Sequence, residues 1–149
     1  MTITFDTVQI GDAMPPYTSL PITRTQLVRY AGASGDFNPL HHDETFAKLV
    51  GFDTVISHGM FIMGLAGEAI TSWIDNRHIR KFSVHFLSMT QPADYHDFDN
   101  TKDRATITVG GKVVEKYEEK GEKRIRCEIF AQDALGSRKL TGSFIAALP

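Results

Sequence analysis

The sequence predicts a single α+β domain in which an antiparallel sheet wraps around one long buried helix. Three observations predict it. An apolar run with helical character spans Ser57–Asp75, and the residue period becomes strand-like from Phe82 onward. The 149 residues also contain no repeat, low-complexity stretch or linker that would divide positions 1–149 into more than one domain. Helices early and a meander of strands late give the α+β class.

Taken in order, Gly11-Asp12 reads as a turn after a short first strand, and Pro15, Pro16 and Pro21 keep the next stretch extended. Thr23 and Gln26 have capping-box spacing, and Leu27, Tyr30 and Ala31 recur at helical intervals toward an end near Gly32. Asp43 is placed to cap a short helix through Phe46, Ala47 and Leu49, closed by Gly51. In Ser57–Asp75, the residues Met60, Phe61, Ile62, Met63, Leu65, Ala66, Ala69, Ile70, Trp73 and Ile74 cover most of a helix circumference, so most sides must be buried. Phe82, Val84 and Phe86 alternate with Ser83 and His85 as a half-buried strand does. Ala105–Tyr117 and Arg124–Gln132 are β-rich around a hairpin turn at Glu118–Gly121, and Asp133–Gly136 leads to a last strand, Lys139–Ala147. A lone sheet of this kind leaves long edges and one helix side uncovered, which predicts a dimer.

Composition narrows the function classes. With 42% hydrophobic and 23% charged residues the chain is of ordinary globular type. A net charge of −2 provides no overall attraction to nucleic acid or to an anionic membrane, and neither partner is expected. Met60–Ile74 is too short to cross a bilayer and carries Glu68, Thr71 and Ser72. Cys127 is the sole cysteine, so no internal disulfide or cysteine zinc cluster can form. With a start that lacks a secretory pattern, this gives a cytoplasmic expectation. No G-x-S-x-G, Walker or dinucleotide fingerprint is present, which removes most support for phosphoryl or hydride transfer.

Chemistry concentrates in Ser34-Gly35-Asp36-Phe37-Asn38-Pro39-Leu40-His41. An isolated aspartate and histidine usually serve a turn and the solvent, but here Gly35 and Asn38-Pro39 make a rigid loop able to aim both at one point. Asp36 and His41 then form a carboxylate–imidazole pair suited to moving protons at neutral pH. Asn38 is chiefly a turn-maker that can also orient Asp36. Further along, Ser57-His58-Gly59-Met60 opens the apolar helix, where a free Gly59 N–H can meet an oxyanion and Ser57 and His58 support the local backbone. His42, Asp43, Glu44 and His58 raise the question of a metal, yet His41 and His42 are adjacent and no His-x-x-x-His spacing exists, so no metal is expected.

The run Tyr30–His41 together with Ser57–Met60 resembles the hydratase-2 motif of the MaoC-like family. These are (R)-specific enoyl-CoA hydratases and (3R)-hydroxyacyl thioester dehydratases with the hot-dog fold, and the stretch through Trp73 is most similar to catalytic β-type subunits of actinobacterial (3R)-hydroxyacyl-ACP dehydratases. The resemblance implies a hot-dog domain over residues 1–149, with Asp36 and His41 as the catalytic pair and the Gly59 N–H as oxyanion donor. It implies fatty-acid metabolism, an acyl-CoA or acyl-ACP substrate, no cofactor, and a homodimer or a heterodimer with a related hot-dog subunit. A basic group among Arg77, Arg80, Lys81 and Lys120–Arg126 could meet coenzyme A phosphates or an acidic carrier, although such residues more often form solvated faces. Two departures from the family pattern stand out. Gly67 replaces a serine found in some relatives, and Gln91–Asp99 replaces an apolar-Pro…Gly-Asp turn. Alternatives in other classes are a hot-dog thioesterase and a non-catalytic acyl-binding partner subunit.

Overall fold

A computed structural model describes residues 3–149. The sheet is built from β1 (Tyr17–Thr18), β2 (Ile79–Phe86), β3 (Ile107–Glu119), β4 (Glu122–Asp133) and β5 (Arg138–Ala147), in the order β1-β3-β4-β5-β2, with every pairing antiparallel. Lys120-Gly121 closes the β3–β4 hairpin with φ of 54° and 76°, the positive values a two-residue turn needs to match strand twist. Alternation puts Ile107, Val109 and Val113 of β3, Ile125, Cys127, Ile129 and Ala131 of β4, and Leu140, Phe144 and Ala146 of β5 into one core. Burial pushes the Cys127 thiol up to about 12.

The core face is covered by α3 (Gly59–Trp73), which packs on β3, β4 and β5 through Ile62, Leu65, Ala66, Ala69 and Ile70. This sheet around a central helix is the hot-dog fold. The helix is not enclosed all round within one chain: Met60, Gly64, Glu68 and Thr71 form an exposed stripe on the opposite side. No helix among the described residues is long and apolar enough to cross a membrane.

Three local expectations change. Among the described residues no strand precedes Gly11; instead the backbone of residues 11–14 bonds to Val113 and Gly111 on β3, and β1 lies further on. Helix α1 (Arg24–Ser34) has the Thr23–Gln26 capping box but continues through Gly32 to Gly35, whose φ of 75° supplies the left-handed cap. A helix α4 (Phe98–Ala105) occupies the region between β2 and β3, so Ala105 ends a helix rather than starting a strand. It buries only Ala105 and carries no apolar stripe, which hid it from periodicity. Its detectable signal is charge, with Asp99 in the first turn and Lys102 and Arg104 in the last.

Gly142 on β5 lies between Val84 of β2 and Ile129 of β4. A Cβ there would overlap the Ser83 carbonyl oxygen and come within 2.9 Å of Val84 Cα, both backbone atoms. Gly142→Ala is therefore expected to lower stability in denaturant unfolding by at least about 1–3 kcal/mol. Gly110→Ala meets only the turnable Phe130 ring and is expected to cost less; equal losses would contradict the β2–β5 register.

Candidate active site

The loop between α1 and α2 (Glu44–Leu49) is organised by its own polar groups. Asn38 Oδ1 accepts from Leu40 N–H at 3.0 Å and caps the 3-10 turn Pro39–His41. Its backbone N–H, rather than its side chain, reaches Asp36 Oδ1 at 3.2 Å, so Asn38 makes the turn and orients the carboxylate at once. His41 Nδ1 lies 2.7 Å from the Ile56 carbonyl oxygen, an acceptor, which places the ring hydrogen on Nδ1 and leaves Nε2 with a lone pair. Nε2 faces Asp36 Oδ2 across 3.9 Å. That gap is too long for a direct hydrogen bond and fits an oxygen atom bound to both. The imidazole side chain is only 11% exposed, whereas the carboxylate is 50% exposed.

His58 locks this loop to the start of α3. Its Nε2 donates to the Asp36 carbonyl oxygen at 3.2 Å, and its ring is stacked on His41 with centroids 3.7 Å apart and against Tyr30 at 4.7 Å. Ser57 is buried; its N–H donates to the Thr90 carbonyl oxygen at 2.7 Å and its Oγ donates to the His58 carbonyl oxygen at 3.2 Å. Gly59 then opens α3 with no side chain capping it, and as first helical residue its N–H has no intrahelical acceptor. The positive end of a helix thus borders the same cavity as His41.

That cavity has a volume of about 320 Å³ and lies between the α3 start and the segment Phe86–Thr90. It brings His41, Ser57 and Gly59 together with walls made by Ile56, Ile62, Phe86, Leu87 and Met89. A Cβ on Gly59 would sit 3.2 Å from the Phe86 ring, so glycine allows that close lid. Gly67 lies away from the cavity and faces Phe82. Lys139 was not legible as a site residue. It is 7% exposed beside the cavity, paired with buried Asp133 at 3.1 Å, and donates to the Met89 carbonyl oxygen at 2.9 Å, which pins the wall.

Asp36, His41 and His58 each offer a donor atom within 4.8 Å of the others, the closest approach to a metal cluster among the described residues. The stacked rings do not suit a shared cation. A metal lies in the plane of each ligating imidazole at ~2.1 Å, while ring planes tilted by only 24° and stacked this closely meet far beyond that distance. The sequence-level candidates for ligands are engaged elsewhere: Asp43 caps α2 through Phe46 N–H, and Glu44 pairs with Arg24 and Thr54.

The family pattern described as MaoC like domain matches residues 7–123. The chain is similar to 3-hydroxyacyl-thioester dehydratase X of Mycobacterium tuberculosis, 53% identical over 47 residues, covering 32% of this chain and 17% of that protein. It is 41% identical over 64 residues to peroxisomal enoyl-CoA hydratase 2 of Arabidopsis thaliana, covering 41% of this chain and 21% of the other. The matches thus span about a fifth of these curated relatives or less. The structure of the R-hydratase PhaJ1 from Pseudomonas aeruginosa superposes with a TM-score of 0.79 at 23% identity, covering 99% of this chain and 86% of that one, a likeness of fold.

Burial, foremost, holds the His58 imidazole below its ordinary value of 6.5; the charge of a protonated His41 adds to this, and the Asp36 carbonyl and carboxylate oppose it. A histidine with a depressed folded value is neutral in both states above 6.5, and below it the unfolded chain takes the proton first. Stability should therefore fall as pH drops below 6.5, and His58→Asn should flatten that part of the profile. Denaturant midpoints of both proteins at about pH 7.5 and about pH 5.5 check this; parallel profiles would contradict a buried neutral ring.

Proposed function

The chain belongs to the MaoC-like domain family of fatty-acid metabolism, and on that premise we propose that it reversibly adds water across a trans-2-enoyl thioester, giving an (R)-3-hydroxyacyl thioester. The observation that carries this reading is the facing pair, His41 Nε2 and Asp36 Oδ2 at 3.9 Å, beside a cavity that also holds the uncapped start of α3.

In the proposed reaction one water is held between Asp36 and His41. Its oxygen bonds to C3, the C2–C3 double bond opens, and the electron pair moves through C2 onto the thioester oxygen. One member of the pair takes the proton from the water and the other manages protonation at C2 with that same proton, passed between them, so the sum is one added water and the pair is returned to its starting state. The Ile56 carbonyl keeps the His41 Nε2 lone pair available for this exchange. The Gly59 N–H and the helix dipole meet the enolate-like charge, a contribution of about 2.7–4 kcal/mol where such donors have been removed. The proposed reaction needs no cofactor.

The carrier is coenzyme A or an acyl carrier protein, and the working assembly is a pair of hot-dog subunits, either two copies or this chain with a related one. Phe86, Leu87 and Met89 on the cavity wall, and Met60 next in sequence to Gly59, are each more than half exposed, an apolar surface that a second subunit would cover.

Asp36→Asn and His41→Ala are each expected to lower kcat/KM by about 10²–10⁴-fold, with the double variant little worse than the lower single, because the two act as a unit. Loss of conjugated enoyl-thioester absorbance measures hydration. Free thiol appearing instead would assign a thioesterase, and tight acyl binding without turnover would assign an acyl-binding partner subunit. The solution mass of the protein alone tests the assembly: an inactive, folded monomer would point to a required sister subunit.

A further inference from the structure

A second cavity of about 300 Å³ adjoins the one described, lined by Phe52, Gln91 and Arg104 together with Ile56, Ser88, Met89 and Lys139. These last four residues line both cavities, so they form the partition between them. Ile56 and Lys139 are buried and fixed, whereas Met89 is 53% exposed, unbranched and adaptable. A ligand lying along the first cavity can therefore continue into the second past Met89.

The second cavity has apolar walls and one unbalanced charge. Lys139 is neutralised by Asp133 at 3.1 Å. Arg104 is partly buried, and its Nε and Nη2 donate to the Pro92 carbonyl oxygen at 3.2 and 2.9 Å, which aims the guanidinium without neutralising it. Among the described residues no carboxylate lies within ion-pair distance of Arg104, in contrast to Arg24, Arg77, Arg80, Arg124 and Arg126. A fixed, partly desolvated guanidinium is a strong recognition element for a carboxylate or phosphate. The Gln91 side-chain amide on the same cavity can add a donor.

We propose that this cavity is an anion subsite in which Arg104 receives the anionic end of the thioester ligand. The anion is a carboxylate at the far end of the acyl chain or a phosphate of the thioester's carrier. The inference rests on the reading of the first cavity as the acyl-thioester site, and it adds a specificity-determining residue on α4 that no motif marks.

The test compares wild type, Arg104→Gln and Arg104→Lys on trans-2-enoyl thioesters of matched length that end in a methyl or a carboxylate. Each is carried on coenzyme A and on N-acetylcysteamine, which has no phosphate. For a carboxylate anion, Arg104→Gln raises KM for the carboxylated substrates about tenfold to hundredfold on either carrier, the fold-change of a hydrogen bond to a charged group, and leaves methyl-ended ones unchanged. For a carrier phosphate, the same rise appears for every coenzyme A thioester and for no N-acetylcysteamine thioester. In both cases Arg104→Lys shows a smaller rise in KM than Arg104→Gln, since the charge remains. If Arg104→Gln instead lowers kcat on all substrates alike, Arg104 only holds the Pro92 loop and the proposal is wrong. Calorimetric binding of saturated methyl- and carboxyl-ended acyl-CoA keeps the two readings separable. Arg104-dependent binding with no hydration would uphold the subsite and overturn the hydratase, and binding indifferent to Arg104 would overturn the subsite.

Discussion

The seating of the α3 N-terminus is the constraint on which the site depends. Three remote stretches meet there through backbone carbonyls: Asp36 accepts from His58, Ile56 accepts from His41, and Thr90 accepts from Ser57. The Leu40 carbonyl adds a bond from Ile56 N–H at 3.2 Å. Each of these groups is needed anyway, because a helix start pushed into a core leaves N–H and C=O groups that must find partners. Satisfying them places the imidazole and the free helix end on one cavity, with the Asp36 carboxylate facing the imidazole across 3.9 Å. The geometry of the candidate site is thus a by-product of closing hydrogen bonds at a helix terminus, and the stacked His41–His58 rings make the closure rigid.

The price of that arrangement is visible in the atoms left over. His58 Nδ1 and Thr90 Oγ1 are buried without hydrogen-bond partners among the described residues, and both belong to residues that tie the helix start down. An unpaired buried polar atom costs about 1–3 kcal/mol. For His58 the lone pair at Nδ1 follows from using Nε2–H on the Asp36 carbonyl. A second ring proton would be a buried donor with nowhere to go, in addition to a buried charge. Burial of the ring, working against the contact that positions the loop, therefore keeps the neighbour of His41 uncharged.

Much of this was legible in the sequence, and for physical reasons. The capping box at Thr23, the Asp43 cap, the Lys120-Gly121 turn and the alternation in β3, β4 and β5 are local signals that local structure obeys. The pair Asp36 and His41 and the Gly59 helix start were legible because loop chemistry and a strong motif coincide there. Other features depended on contacts distant in the chain. The tilted contact of Tyr30 with His58, the bond from Lys139 to Met89 and the Phe86 ring over Gly59 join residues tens of positions apart, and no periodicity encodes them. Helix α4 was hidden because it packs on the domain through little more than Ala105, so its pattern resembled a polar loop.

Cys127, enclosed between the strands of the core with its thiol pushed up to about 12, has a practical consequence. At neutral pH it is neither ionised nor reachable, so it offers no sulfur nucleophile to an acyl group or to a disulfide reagent. As it is the sole cysteine of the chain, the folded protein is silent toward colorimetric thiol reagents. Any thiol signal in a reaction mixture then comes from liberated carrier alone, and chemical labelling of the native protein reports unfolding rather than surface chemistry.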